Sequence, residues 1–73
     1  MNNKKKILIT EFINQNSLKN LNKKFDVRYD EKLCEDEKEI IKIIRDYDGL
    51  IVRNKTQVNS DILKNAIKLK FIG

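Results

Sequence analysis

The stretch DGLIVRNKTQVN, residues 48–59, decides how the rest of the chain reads. Leu50, Ile51 and Val52 form a short continuous apolar run, the pattern of a strand covered on both faces. The run passes directly into a polar turn that carries Arg53, Asn54, Lys55 and Thr56 and spends no Pro or Gly. A buried strand that releases an arginine at its end marks either a site or a loop. Its neighbours in the sheet place it.

Working outward, Ile7-Leu8-Ile9 repeats the continuous pattern and predicts a second central strand. Phe25, Val27 and Tyr29 instead alternate with Asp26, Arg28 and Asp30, a period of two that suits a half-covered strand nearer the edge. Leu69, Phe71 and Ile72 make a fourth, short candidate. Between these lie helical patterns. Over residues 37–47, Ile40, Ile41, Ile44 and Tyr47, with Ile43, form an apolar stripe opposite Glu37, Lys38, Lys42 and Arg45. Asp36 and Glu39 have capping-box spacing, and Asp46-Tyr47-Asp48-Gly49 reads as the stop. A first helix is expected over roughly 16–23, carrying Leu18 and Leu21 ahead of Phe25. A third is expected over about 60–67, capped by Asn59 or Ser60, with Asp61 in its first turn and Ile62, Leu63, Ala66 and Ile67 facing inward.

Strands alternating with helices through connections of this length require parallel pairing. With the continuous strands central and the alternating one outside, the expectation is an α/β, flavodoxin-like three-layer sandwich. It is partial, with a parallel sheet of about four strands in the order 2-1-3-4. Such a sheet reverses its winding between strands 1 and 3 and opens a crevice at their carboxyl ends. Thr10, Glu11 and Phe12 leave the first strand there, and Arg53, Asn54, Lys55 and Thr56 leave the third. Arg53 is suited to a bidentate pair with a carboxylate or phosphate, and Asn54, Thr56 and the turn's backbone N–H groups can donate to the same anion. Two structural alternatives stand beside this: an Arg53–Glu11 ion pair, or a solvated arginine at a loop.

Composition bounds the partners. The chain has 73 residues, enough for one small domain that buries roughly 60% of its unfolded surface. One cysteine, Cys34, and no histidine exclude an internal disulfide and leave too few soft ligands for zinc. The acids flanking Cys34 disfavour its thiolate, and those between Asp26 and Glu37 lack the order of a calcium loop. Sixteen Lys and Arg against 11 Asp and Glu leave a net charge of +5, but the lysines are interleaved with acids and asparagines. A solvated surface explains them better than a nucleic-acid partner. Apolar runs of three residues exclude a membrane span, and cytoplasmic residence is expected.

The segment DYDGLIVRNKTQVNSDILKNAIKLKFIG, residues 46–73, together with KKILITEF at 5–12, resembles the amino-terminal part of the D-isomer-specific 2-hydroxyacid dehydrogenases. The likeness covers essentially the whole chain. It rests most on Arg53, Thr56, Val58 and the closing Gly73 occurring together after the hydrophobic strand. It implies part of a substrate-binding lobe, the one that closes over a nucleotide-binding lobe during hydride transfer to NAD. In the family the arginine and the small polar residue after this strand contact the acid substrate. Carried over, these are Arg53 and Asn54, with Lys55 and Thr56 completing the turn, and the implied ligand is a small anionic 2-hydroxy acid or phospho-acid. Asn54 replaces the more usual serine and Gln57 a frequent lysine.

The rest of the family's machinery is missing from these residues. The two glycines, Gly49 and Gly73, cannot form a dinucleotide fingerprint, and no histidine supplies a base. No cofactor is therefore expected on this chain, although the family implies NAD, and no catalytic residue is assigned. Residues 1–73 are read as a single partial domain of a truncated dehydrogenase without its cofactor-binding domain, inactive alone. The alternative is a stand-alone small α/β module that binds an anion or a protein. An open fourth strand would favour a homo-oligomer or the missing lobe as partner.

Overall fold

The computed structural model describes residues 4–73. Its elements run β1 (Lys6–Ile9), α1 (Gln15–Lys24), β2 (Asp26–Tyr29), α2 (Glu37–Ile43), β3 (Gly49–Ile51), α3 (Ser60–Asn65) and β4 (Phe71–Ile72). All pairings are parallel and the strand order is β2-β1-β3-β4, as the two kinds of apolar run predict. Ile7, Gly49 and Phe71 lie side by side in one row, and Leu8, Leu50 and Ile72 in the next. Ile7, Leu8 and Ile9 are completely buried, whereas β2 exposes Asp26 and Arg28 and half-covers Val27 and Tyr29.

Period two sends Leu8 and Leu50 to one face of the sheet. There they meet Ile40, Ile44, Tyr47 and Ile62 from α2, the turn after it and α3, together with Leu33 from a short 3₁₀ turn before α2. This is the main core. Burial of each such side chain contributes about 1.5–3 kcal/mol, which is what holds short helices that would not persist in isolation. The opposite face is covered by α1, whose Ser17 and Leu21 border a hollow that also reaches Ile51. Helix α1 buries none of its residues fully, so this layer is thin.

Helix ends follow local chemistry. Asn14 caps α1 by accepting from Ser17 N–H at 2.8 Å, and Asn59 caps α3 by accepting from Ile62 N–H at 3.1 Å. The second hydrogen-bonding group of Asn59, its amide nitrogen, donates to Glu37, tying the start of α3 to the start of α2. Asp36 accepts from Glu39 N–H at 3.2 Å, but the reciprocal half of the capping box is replaced. Asp36 N–H is already committed to Leu33 O at 2.9 Å by the 3₁₀ turn.

Two expectations are corrected. Leu63 and Ile67, predicted to face inward, are 51% and 73% exposed. Helix α3 ends at Asn65, so only the Ile62 and Ala66 stripe reaches the core. The helix expected over 37–47 is α-helical only to Ile43 and finishes as a 3₁₀ turn over Ile44–Asp46 that Tyr47 closes, within the stop expected over residues 46–49, and Gly49 lies beyond that end. It opens β3 beneath the Phe71 ring, where a Cβ would lie 2.6 Å from Ile7 Cδ1 and closer still to that ring.

At the amino ends of the strands Asp48 joins three of them. Its Oδ2 accepts from Lys6 N–H at 2.9 Å, its own N–H donates to Lys6 O at 2.8 Å, and its carbonyl accepts from Lys70 N–H at 2.7 Å. The Lys6 N–H, and then the nearby ammonium groups of Lys68, Lys5 and Lys70, hold its carboxyl below the usual carboxylate range despite burial.

Candidate functional site

At the carboxyl ends of β1 and β3 the chain leaves the sheet in two adjacent places. Thr10 extends the ladder by donating its N–H to Ile51 O at 3.3 Å, and Glu11 and Phe12 come next. Opposite them, residues 53–56 form the turn after β3. Glu11 is only 3% exposed, yet it carries a carboxylate. The turn satisfies it with backbone donors. Arg53 N–H and Thr56 N–H donate to Oε2 at 2.8 and 2.7 Å, and Lys55 N–H donates to Oε1 at 3.0 Å. Burial pushes the Glu11 carboxyl up. The N–H groups of Arg53, Lys55 and Thr56, with the Thr56 hydroxyl, outweigh burial and bring it down to about 2.

The structure separates the four residues expected at the site. Arg53, Asn54 and Lys55 are exposed and line a cleft of about 190 Å³ between the two strand ends. The Arg53 guanidinium reaches across it to Phe12 O at 3.4 Å. Thr56 turns inward: it is buried, and its hydroxyl lies 2.9 Å from that of Thr10. Either hydroxyl can donate in that pair. Thr56 borders a neighbouring hollow of about 170 Å³, beside Gln57 and Ile62, rather than the cleft itself.

Two readings of the turn change accordingly. The Arg53–Glu11 ion pair, one of the two structural alternatives, gives way to a pairing of Glu11 with the backbone of the turn. A carboxylate under the turn lies within reach of converging N–H groups, and the guanidinium keeps its hydration by staying outside. The backbone N–H groups of Arg53, Lys55 and Thr56, expected to serve a ligand, are already taken.

Glu31 and Cys34 also line the cleft, a placement that apolar periodicity alone does not predict. Cys34 is tied down by its N–H to Thr10 O at 2.9 Å and by its thiol, which donates to Glu31 O at 3.2 Å. The signal for both was the strand order itself. Since β2 lies beside β1 with the same direction, the loop after Tyr29 and the segment after Ile9 leave the sheet side by side and border the same crevice. Among the described residues no three His, Cys, Asp or Glu side chains gather as a metal set. No helix among them is long and apolar enough to cross a membrane.

A parallel 2-1-3-4 sheet with helices on its faces defines an α/β protein whose sheet reverses its winding between β1 and β3. Residues 7–73 match the family described as D-isomer specific 2-hydroxyacid dehydrogenase, catalytic domain, and the chain belongs to that family. Among curated proteins it is similar to the D-3-phosphoglycerate dehydrogenase of Methanocaldococcus jannaschii. The two are 35% identical over 68 residues, which is 93% of this chain and 13% of that protein. Among solved structures it superposes on the PH0520 protein from Pyrococcus horikoshii OT3 with a TM-score of 0.86 and 28% identity, covering 93% of this chain and 20% of that one. The chain thus spans a fifth or less of the length of these relatives.

Proposed function

We propose that residues 1–73 are part of the substrate-binding lobe of a D-2-hydroxyacid dehydrogenase of the D-3-phosphoglycerate dehydrogenase kind. In this reading they bind the acid and do not catalyse alone. The ligand is a small anionic 2-hydroxy acid or phospho-acid, held by Arg53, Asn54 and Lys55, with Thr56 anchoring the turn from beneath. The observation that carries the reading is that Arg53, Asn54 and Lys55 all line one cleft, shared with Glu31, at the switch point of the sheet. Arg53 supplies a planar fork matched to a carboxylate or phosphate, and Lys55 adds a mobile positive charge.

The family's dinucleotide does not fit these residues. A pyrophosphate needs a glycine-lined approach to a helix amino terminus. Between β1 and α1 the chain instead runs Thr10-Glu11-Phe12-Ile13-Asn14, with a buried anion at its second position. Gly49 is sealed by Phe71 and Ile7. Hydride transfer is therefore not assigned to any group of this chain, whose own part is to recognise and orient the acid.

Titration of 3-phosphoglycerate into isotopically labelled protein, followed by NMR, tests the proposal. A shift of the Asn54 amide, lost in Arg53→Gln, and of the Arg53 side-chain N–H is expected, with residues away from this cleft unmoved. No perturbation at millimolar ligand would overturn it.

A further inference from the structure

Consecutive backbone N–H groups that converge on one point form a natural anion cradle. In the turn after β3 that cradle is already full. Glu11 collects the N–H groups of Arg53, Lys55 and Thr56, while the N–H of Asn54, in their midst, makes no hydrogen bond among the described residues. The carboxylate reaches this place from a different strand, 42 residues away from Arg53 along the chain. It is held there by Thr10, whose N–H continues the ladder with β3 and whose hydroxyl meets Thr56. It is thereby built into the sheet and is not a surface side chain that happened to fold over.

We infer that Glu11 is a positioning residue of the acid site: by filling the backbone cradle with an internal carboxylate, it fixes the turn that presents Arg53, Asn54 and Lys55. This rests on the acid-binding reading above and adds a rule of recognition. An incoming anion finds three of the turn's four N–H groups occupied. It is bound by the side chains of Arg53 and Lys55 and by Asn54, and not by the backbone of 53, 55 and 56. The turn is preorganised before the ligand arrives, so no ordering of backbone accompanies binding.

The arrangement is specific to a carboxylate of this length. Glu11→Gln keeps the volume but aims an amide donor into a ring of donors, so at least one N–H loses its acceptor. Glu11→Asp withdraws the carboxylate by about 1.5 Å, one carbon–carbon bond. Glu11→Ala empties the cradle, leaving room for a small carboxylate such as formate.

The test is NMR of the labelled 73-residue protein, read first without ligand and then with 3-phosphoglycerate. In the wild type, the Asn54 amide and the Arg53 side-chain N–H are expected to move with ligand while the amides of Arg53, Lys55 and Thr56 stay nearly still. In Glu11→Ala those three amides shift upfield in the free protein, the affinity for 3-phosphoglycerate falls at least tenfold, and added formate restores both. Arg53→Gln loses affinity with the three amides unmoved, which separates binding from positioning. Should Glu11→Ala fail to fold, Glu11→Gln supplies the same comparison without formate, and Glu11→Asp is expected to recover part of the affinity. Wild-type affinity in Glu11→Ala or Glu11→Gln, or ligand-driven shifts at the cradle amides as large as at Asn54, overturns the inference and leaves the acid site standing. Absence of binding to the wild type removes the acid site itself and this inference with it.

Discussion

Glu11 shows how a single buried charge is kept. Each of its backbone donors left without an acceptor costs about 1–3 kcal/mol, and the donors belong to the turn that also carries Arg53. Its carboxyl lies at about 2 in the folded chain against 4.5 in the free group. A depressed carboxyl contributes stability that is complete above its unfolded value and is lost as pH falls through the folded one. Unfolding by urea is therefore expected to become easier between pH 4.5 and about 2, with Asp48, also held low, adding to the slope. The midpoint measured across that range should depend less on pH in Glu11→Gln, and an equally steep profile would show that Glu11 is not the group responsible. Position 11 was legible in the sequence as a member of the crevice, because it comes just after a continuous apolar run. Its partner was not, since a carboxylate beside an arginine fits a guanidinium as well as three amides.

Among the elements, β4 depends on a glycine in its neighbour. Phe71 lies opposite Gly49, and its ring packs down over the bare Cα while approaching Phe25 at 6.4 Å between centroids. The shortest strand is thus attached through an aromatic side chain laid across β3. Gly49→Ala puts a methyl group into that contact and into Ile7, which is fully buried. Overpacking of this kind costs about 1–3 kcal/mol, and each kcal/mol lowers Tm by about 4–8 °C in a domain of this size. Thermal unfolding should show that loss in the wild-type background and a much smaller one in Phe71→Ala, where the ring is gone. Equal losses in the two backgrounds would rule out the ring contact as the cause. Sequence placed Gly49 at a boundary and no more, because close approach is a property of two strands and appears in neither one alone.

For the whole molecule, the four strands leave β4 as an outer edge among the described residues. In a parallel ladder alternate residues point their N–H and C=O away from the partner strand. Phe71 pairs with Gly49 while Gly73 bonds Leu50 and Val52, so Ile72 is the residue turned outward. Around it Leu63, Phe71 and Ile72 are partly exposed and border an open hollow of about 340 Å³. Unpaired edges of this kind recruit other chains. The 73-residue protein is expected to self-associate at high micromolar concentration in sedimentation, and Ile72→Lys to shift it toward monomer. A clean monomer for the wild type would refute this.

By itself the sequence determined the parallel order 2-1-3-4 and the crevice where Arg53 emerges, because both derive from the period of apolar residues and the length of connections, which are local properties. The inward turn of Thr56, the filling of the cradle by Glu11 and the exposure of Ile67 were decided only in the tertiary structure. Each depends on which donor, acceptor or empty space lies opposite a side chain, and those partners come from strands and turns far away along the chain.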